Sequence, residues 1–153
     1  MRIDMRDLEK FIYDMGVNVM TLTSTEKTRL LTPLKNRVLK HIRTNAENML
    51  KGRYFLKEVR KSVYLDSRHI HDENPYYLVN FRGMLQKMRN GKPLGGPERA
   101  AAVAFLNEYG VPTKNAQKRP RPFIKEAIYD GTIESYEEIA NILGQIVANK
   151  ITK

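Results

Sequence analysis

The sequence predicts an α+β fold: a small antiparallel β-sheet with helices packed on one face, amphipathic helices toward the N-terminal end and a further helix at the C-terminal end. Three observations predict it. Apolar residues recur at spacings of three and four over residues 5–15, 33–50 and 139–147, the period of a helix with one buried stripe. Between residues 62 and 81 the period changes to alternation and to a compact run of aromatic and β-branched residues, the pattern of strands. Glycine- and proline-rich basic segments separate these blocks. At 153 residues the chain suffices for one hydrophobic core, so residues 1–153 are read as a single domain.

The first element is a short helix from Met5 to Met15, with Leu8, Phe11, Ile12 and Met15 on one face. A longer helix follows, with Thr32 as its N-cap and Pro33 at the first helical position, where the missing N–H is harmless; residues 24–31 are open to an earlier turn. Its stripe is Leu34, Val38, Leu39, Ile42, Ala46, Met49 and Leu50, and Gly52 supplies the stop. KSVYLD and PYYLVNF are read as two strands joined by the polar loop DSRHIHDEN. The segment GMLQKMRNGKPLGGPER, with five glycine or proline residues after Met88, reads as a long mobile basic loop over 84–99. AAAVAFLNEYG is compatible with strand or helix, and we favour a strand, because Val103 and Phe105 alternate and Gly110 and Pro112 end it. A second mobile basic loop, 111–121, leads through Phe123 into a short helix reaching Tyr129. The last helix opens at Ser135 with Glu138 three residues on, a capping-box pattern, and carries Ile139, Ile142, Leu143, Ile146 and Val147 on one face.

The formal net charge of +10 is concentrated centrally. Residues 1–52 hold 10 Lys/Arg against 6 Asp/Glu, residues 53–125 hold 15 against 6, and residues 126–153 hold 2 against 5. The positive field is thus displayed by irregular segments, which suits nucleic acid and an acidic protein partner equally. With no cysteine there is no disulfide framework, thiolate metal site or cysteine nucleophile. No apolar run approaches the roughly 20 residues that a bilayer demands, and the acids in MRIDMRDLEKF stand where a signal peptide needs an apolar centre, so we expect neither export nor membrane insertion.

Catalytic constellations are sparse. No serine lies in a GxSxG elbow, and LGGPER matches neither phosphate-binding glycine pattern, so its glycines read as a hinge. His69 and His71, beside Asp72 and Glu73, have the residue types for a metal site, but His41 falls on a helix flank and a polar loop between strands accounts for the pair; we expect no metal and no cofactor. Tyr76, Tyr77 and Phe81 near arginines resemble a base-stacking platform, yet a chain without tryptophan needs such residues for its core, and core packing is the preferred reading.

From Ala102 onward, AVAFLNEYGVPTKNAQKRPRPFIKEAI resembles the tail-completion and head-tail joining proteins of long-tailed bacteriophages. Members of that family show an apolar strand, a Glu-aromatic-Gly triplet, a loop, and Arg-Pro-Phe opening a terminal helix. Here these are Phe105, Asn107, Glu108, Tyr109 and Gly110, then Arg121, Pro122 and Phe123, with Ala127 one turn on. LKEVRKSVYLD is similar to the family's entry into its sheet, whereas NMLKGRYFL replaces the usual Pro-Asp-Thr-Gly turn, and the loop before Arg121 is longer and more basic.

The resemblance implies a non-enzymatic virion protein, assembled in the host cytoplasm, that forms a hexameric ring at the head-proximal end of the tail. Its partners would be copies of itself, the tail tube protein and the head-side connector or stopper, with non-specific contact to DNA in the channel. The contact residues implied are Lys87, Arg89, Lys92 and Arg99 in the first basic loop, and Glu108, Tyr109, Lys114, Lys118, Arg119 and Arg121 around the second. Phe105, Asn107, Gly110, Pro122, Phe123 and Ala127 would be structural. From the residues alone, Gly110 allows a positive-φ turn, Pro120 and Pro122 hold the chain extended up to the helix, and Glu108 and Arg121 are placed to close the loop with an ion pair. The alternative is a small basic DNA-binding module, although no helix-turn-helix spacing with a basic second helix is present.

Overall fold

In a computed structural model of the chain, residues 1–17, 22–50, 56–72, 76–86, 88–110 and 120–151 are described. Among them the fold is α+β, with five helices, small antiparallel sheets and a helix at the C-terminal end. No helix among these residues is long and apolar enough to cross a membrane.

A three-stranded sheet has the order β1 (Arg2–Asp4), β3 (Tyr76–Phe81), β2 (Val63–Asp66), all antiparallel. Its register sets Ile3 opposite Tyr77, Leu65 opposite Val79 and Val63 opposite Phe81, and all six are buried. One face is therefore core, as the period of two requires. The two expected strands are present, with residues 73–75 between them outside the described residues; β1, which no alternation announced, adds the third. Burial pushes the Tyr77 hydroxyl up to about 12.

α1 (Arg6–Asp14) buries Leu8 and Ile12, and Phe11 stacks on Tyr136 with ring centroids 4.9 Å apart. Met15 is exposed rather than on the buried face. α2 (Ser24–Met49) begins before Thr32 and takes in residues 24–31, the segment open to an earlier turn. Thr23 is its N-cap, accepting the Glu26 N–H, while the Glu26 carboxylate accepts the Thr23 N–H. This reciprocal box satisfies more donors than Thr32 could, and Pro33 sits inside the helix, buried. Gly52 lies outside the described residues. α3 (Leu56–Ser62) is helical where the family resemblance suggests strand, and an Arg60–Glu47 ion pair at 3.0 Å ties it to α2.

Two further expectations are corrected. Residues 100–109 form α4 (Ala100–Tyr109), not a strand: Ala100, Val103, Ala104 and Glu108 are buried at spacings of three, one and four, and alanine is the best helix former. Residues 123–151 form one helix, α5 (Phe123–Ile151), not two. Ser135 is buried within it, donating to the Thr132 carbonyl, and Glu138 pairs with Arg37 instead of closing a capping box. Tertiary packing overrides the local signal there. A Cβ on Gly131 would lie 2.7 Å from the Val38 Cα, so α5 meets α2 backbone to backbone at the point where the sequence suggested a break.

α2 and α5 run antiparallel. Arg29 bonds Gln145, Arg37 bonds Glu138, His41 lies 2.7 Å from Glu134, and Lys150 reaches Glu26 at 3.1 Å. These partly exposed polar contacts are screened by solvent and mainly set register. The larger stabilisation comes from Leu34, Val38 and Ile42 facing Ile124, Ile139, Leu143 and Ile146, at about 1.5–3 kcal/mol for each fully buried side chain.

Candidate functional site

After β3 the chain leaves the body as an arm. Leu85 and Ala100 are buried at its base, and the Ala100 N–H donates to the Gly83 carbonyl at 3.0 Å. The first ladder pairs β4 (Met84–Leu85) with β7 (Glu98–Arg99), and the second pairs β5 (Met88–Arg89) with β6 (Lys92–Pro93). The Gln86 side-chain amide donates to the Gly95 carbonyl at 3.0 Å between them. Residues 84–99, expected as a long mobile basic loop, instead carry the paired strands of a nested β-hairpin. Its tip is Asn90 and Gly91, both at positive φ (51° and 76°), the conformation that a two-residue type I′ turn requires. An Asn-Gly pair is a strong short-range hairpin signal, and it lies at this tip.

Every residue from 88 to 99 is exposed. At the tip, Arg89 faces Lys92 across the ladder, a like-charge pair that destabilises a hairpin lacking an external partner. Neither residue, nor Arg99, takes part in an ion pair among the described residues. Apolar side chains accompany the charges: Met84 is 57% exposed, Met88 53% and Leu94 44%. Lys87 lies outside the described residues.

The second expected contact region divides differently. Lys114, Lys118 and Arg119 lie outside the described residues. Glu108 and Arg121 form no ion pair with each other. Glu108 is 3% exposed, and its carboxylate accepts the backbone N–H of Ile124 at 2.7 Å and of Lys125 at 3.0 Å. The Arg121 guanidinium donates to the Met49 carbonyl, and its own N–H donates to the Asn107 carbonyl at 2.7 Å. The physical reason is the start of α5. Pro122, preceding the helix, has no side-chain acceptor, so the donors of the first turn need one from elsewhere. The Phe123 N–H goes to the Arg121 carbonyl and the next two go to Glu108. Burial pushes the Glu108 carboxyl up, against the pull of those two N–H groups.

The remaining motif residues make contacts within the body. Phe123 and Ala127 are buried, Phe105 meets Phe81 edge-on at 5.8 Å, and Asn107 donates to the Val103 carbonyl. Gly110 ends α4 with φ 75°, the positive value read from the sequence, although a helix precedes it. Tyr109 is exposed and stacks on Phe105 at 6.3 Å. Tyr77 and Phe81 are core, while Tyr76 is on the opposite sheet face, with the Arg2 guanidinium 3.7 Å from its ring and His69 stacked at 4.7 Å. His69 lies 2.8 Å from the Asp72 carboxylate. No group of three or more metal-ligating side chains occurs among the described residues.

Comparison of the chain with protein-family models, curated proteins and solved structures finds no match.

Proposed function

We propose that this chain is a structural assembly subunit, not an enzyme, which grips a neighbouring protein through the Met84–Arg99 arm. The observation that carries the reading is the facing pair Arg89 and Lys92 at the tip of an exposed hairpin, beside exposed Met84, Met88 and Leu94. Facing cations are stabilised when an anionic surface joins them, and a β-ladder presents them without the ordering entropy of a free loop. The body supplies rigidity, since the arm is rooted through Leu85 and Ala100 in the same core as α2 and α5. The resemblance of the Phe105–Ala127 segment supplies the particle: the ring at the head-proximal end of a long phage tail, between the tube protein and the head-side connector. Function then resides in contacts among copies, tube and connector.

The test replaces residues 86–97 by a two-residue Asn-Gly turn joining the base strands. Light scattering is recorded for parent and shortened protein, alone, with tube protein, and with duplex DNA over a salt series. The reading expects association with protein in the parent and its loss in the shortened chain, with thermal unfolding little changed. Equal association without the arm overturns it. Tight duplex binding that falls steeply with salt, without protein association, would make the chain a DNA-binding module instead.

A further inference from the structure

We infer that the surface gripped by the arm belongs to a second copy of this chain and is the exposed ridge of α5 formed by Glu126, Tyr129, Asp130, Ile133 and Glu137. The inference rests on reading the arm as a contact element.

The ridge follows from helical spacing. Residues 126, 130, 133 and 137 recur at intervals of four, three and four, and 129 lies beside them, so all five share one face. That face is opposite the buried stripe of Ile124, Ala127, Gly131, Ser135, Ile139 and Leu143. All five ridge residues are exposed, including two that a solvated helix face does not need: Tyr129 at 68% and Ile133 at 49%. Glu126, Asp130 and Glu137 form no ion pair among the described residues, unlike Glu134 and Glu138, which are turned to α2.

Charge selects this ridge over the rest of the surface. The chain carries a net +10, so a cationic arm is repelled by most of another copy. Residues 126–153 reverse the sign, with 5 acids against 2 bases. Carboxylates spaced along the ridge match Arg89, Lys92 and Arg99, and Tyr129 with Ile133 matches Met84, Met88 and Leu94, so each surface offers the other both charge and apolar area. The arm is also long enough to span the ridge. An arm of about eight residues per strand reaches up to about 26 Å, and the ridge from 126 to 137 is about 16 Å long. Both surfaces are exposed in the single chain, so neither is occupied by the other. Arm onto ridge is a heterologous contact, each copy giving one surface and receiving the other, the arrangement that closes into a ring when the rotation permits.

A charge swap tests the inference. One variant carries Arg89→Glu and Lys92→Glu; the other carries Glu126→Lys, Asp130→Lys and Glu137→Lys, leaving the α2-facing Glu134 and Glu138 in place. Circular dichroism and thermal unfolding establish that both fold, as expected for substitutions at exposed positions. By sedimentation velocity each variant alone should self-associate at least about tenfold more weakly than the parent, because like charges now meet. An equimolar mixture should recover the parental assembly, since acidic arms find basic ridges and basic arms find acidic ones. A parent that stays monomeric at its highest soluble concentration overturns the inference, as does a mixture that fails to recover. Ridge variants that assemble normally while the shortened-arm protein does not would refute the seat on α5 and leave the arm as a contact element. Normal assembly of both would remove the arm reading too.

Discussion

The Glu108 carboxylate accepts the backbone N–H of Ile124, sixteen residues further along the chain, at 2.7 Å. It is the acceptor that Pro122 cannot provide, and it fastens the end of α4 to the start of α5. Replacing it with alanine strands one buried donor, Ile124, and one part-buried donor, Lys125, at about 1–3 kcal/mol for the buried one and less for the other. We expect Glu108→Ala to lose about 2–4 kcal/mol in urea unfolding and Glu108→Gln, which keeps one oxygen acceptor, to lose about half that. Indistinguishable midpoints for Glu108→Ala and the parent would mean that the cap contributes nothing.

Gly131 and Gly144 lie on the same helix and should respond oppositely to alanine. At Gly131 the new Cβ meets the Val38 backbone at 2.7 Å, which must push α2 and α5 apart; at Gly144 nothing lies within 4 Å. Gly144→Ala should stabilise by about 0.5–1 kcal/mol through helix propensity. Gly131→Ala should destabilise by about 1–3 kcal/mol despite the same gain, because overpacking wins. Thermal unfolding of the two variants side by side decides it.

The arm's geometry depends on positive φ at Asn90 and Gly91. Gly91→Val places a β-branched residue where L side chains are strained. Cross-strand nuclear Overhauser contacts between Met88 and Pro93 should vanish, while global stability changes by less than about 1 kcal/mol, since the tip buries nothing. Loss of the whole fold would show that the arm is an integral part of the core.

Asp66 gives an acid-side signature. The Arg68 side chain and backbone N–H hold its carboxyl at about 2, against an ordinary 3.8. The folded chain therefore binds this proton more weakly than the unfolded one. Its stabilisation is present above about pH 4 and is lost as pH falls toward and through about 2. In Asp66→Asn, the slope of stability against pH should be shallower between those limits, as measured by denaturant unfolding at stepped pH.

Much of the body is legible from local pattern. The stripe through Leu34, Val38 and Ile42, the alternation at Val63 and Leu65, and the positive φ at Gly110 all follow from period or from one residue's steric freedom. Where two local signals compete, pattern alone does not fix the element. Thr32 next to Pro33 marks a start by composition, whereas Thr23 with Glu26 completes the reciprocal box that caps the helix. Val103 and Phe105 alternate as in a strand, whereas the three alanines before them favour the helix that forms. The Asn90-Gly91 turn is itself a local signal, since both residues tolerate positive φ.

The amino-acid order alone determined the α+β class, the amphipathic helices, the central pair of strands and the central cationic excess, because each depends on near neighbours or on simple addition. Only the tertiary structure decided that α5 is unbroken, that Glu108 is a buried cap, and that the acids beside Tyr129 stand exposed as one ridge. Those outcomes depend on what approaches from far along the chain: Val38 against Gly131, and the first turn of α5 against Glu108. Close packing and unsatisfied backbone donors are long-range constraints, and where they act they outrank local propensity.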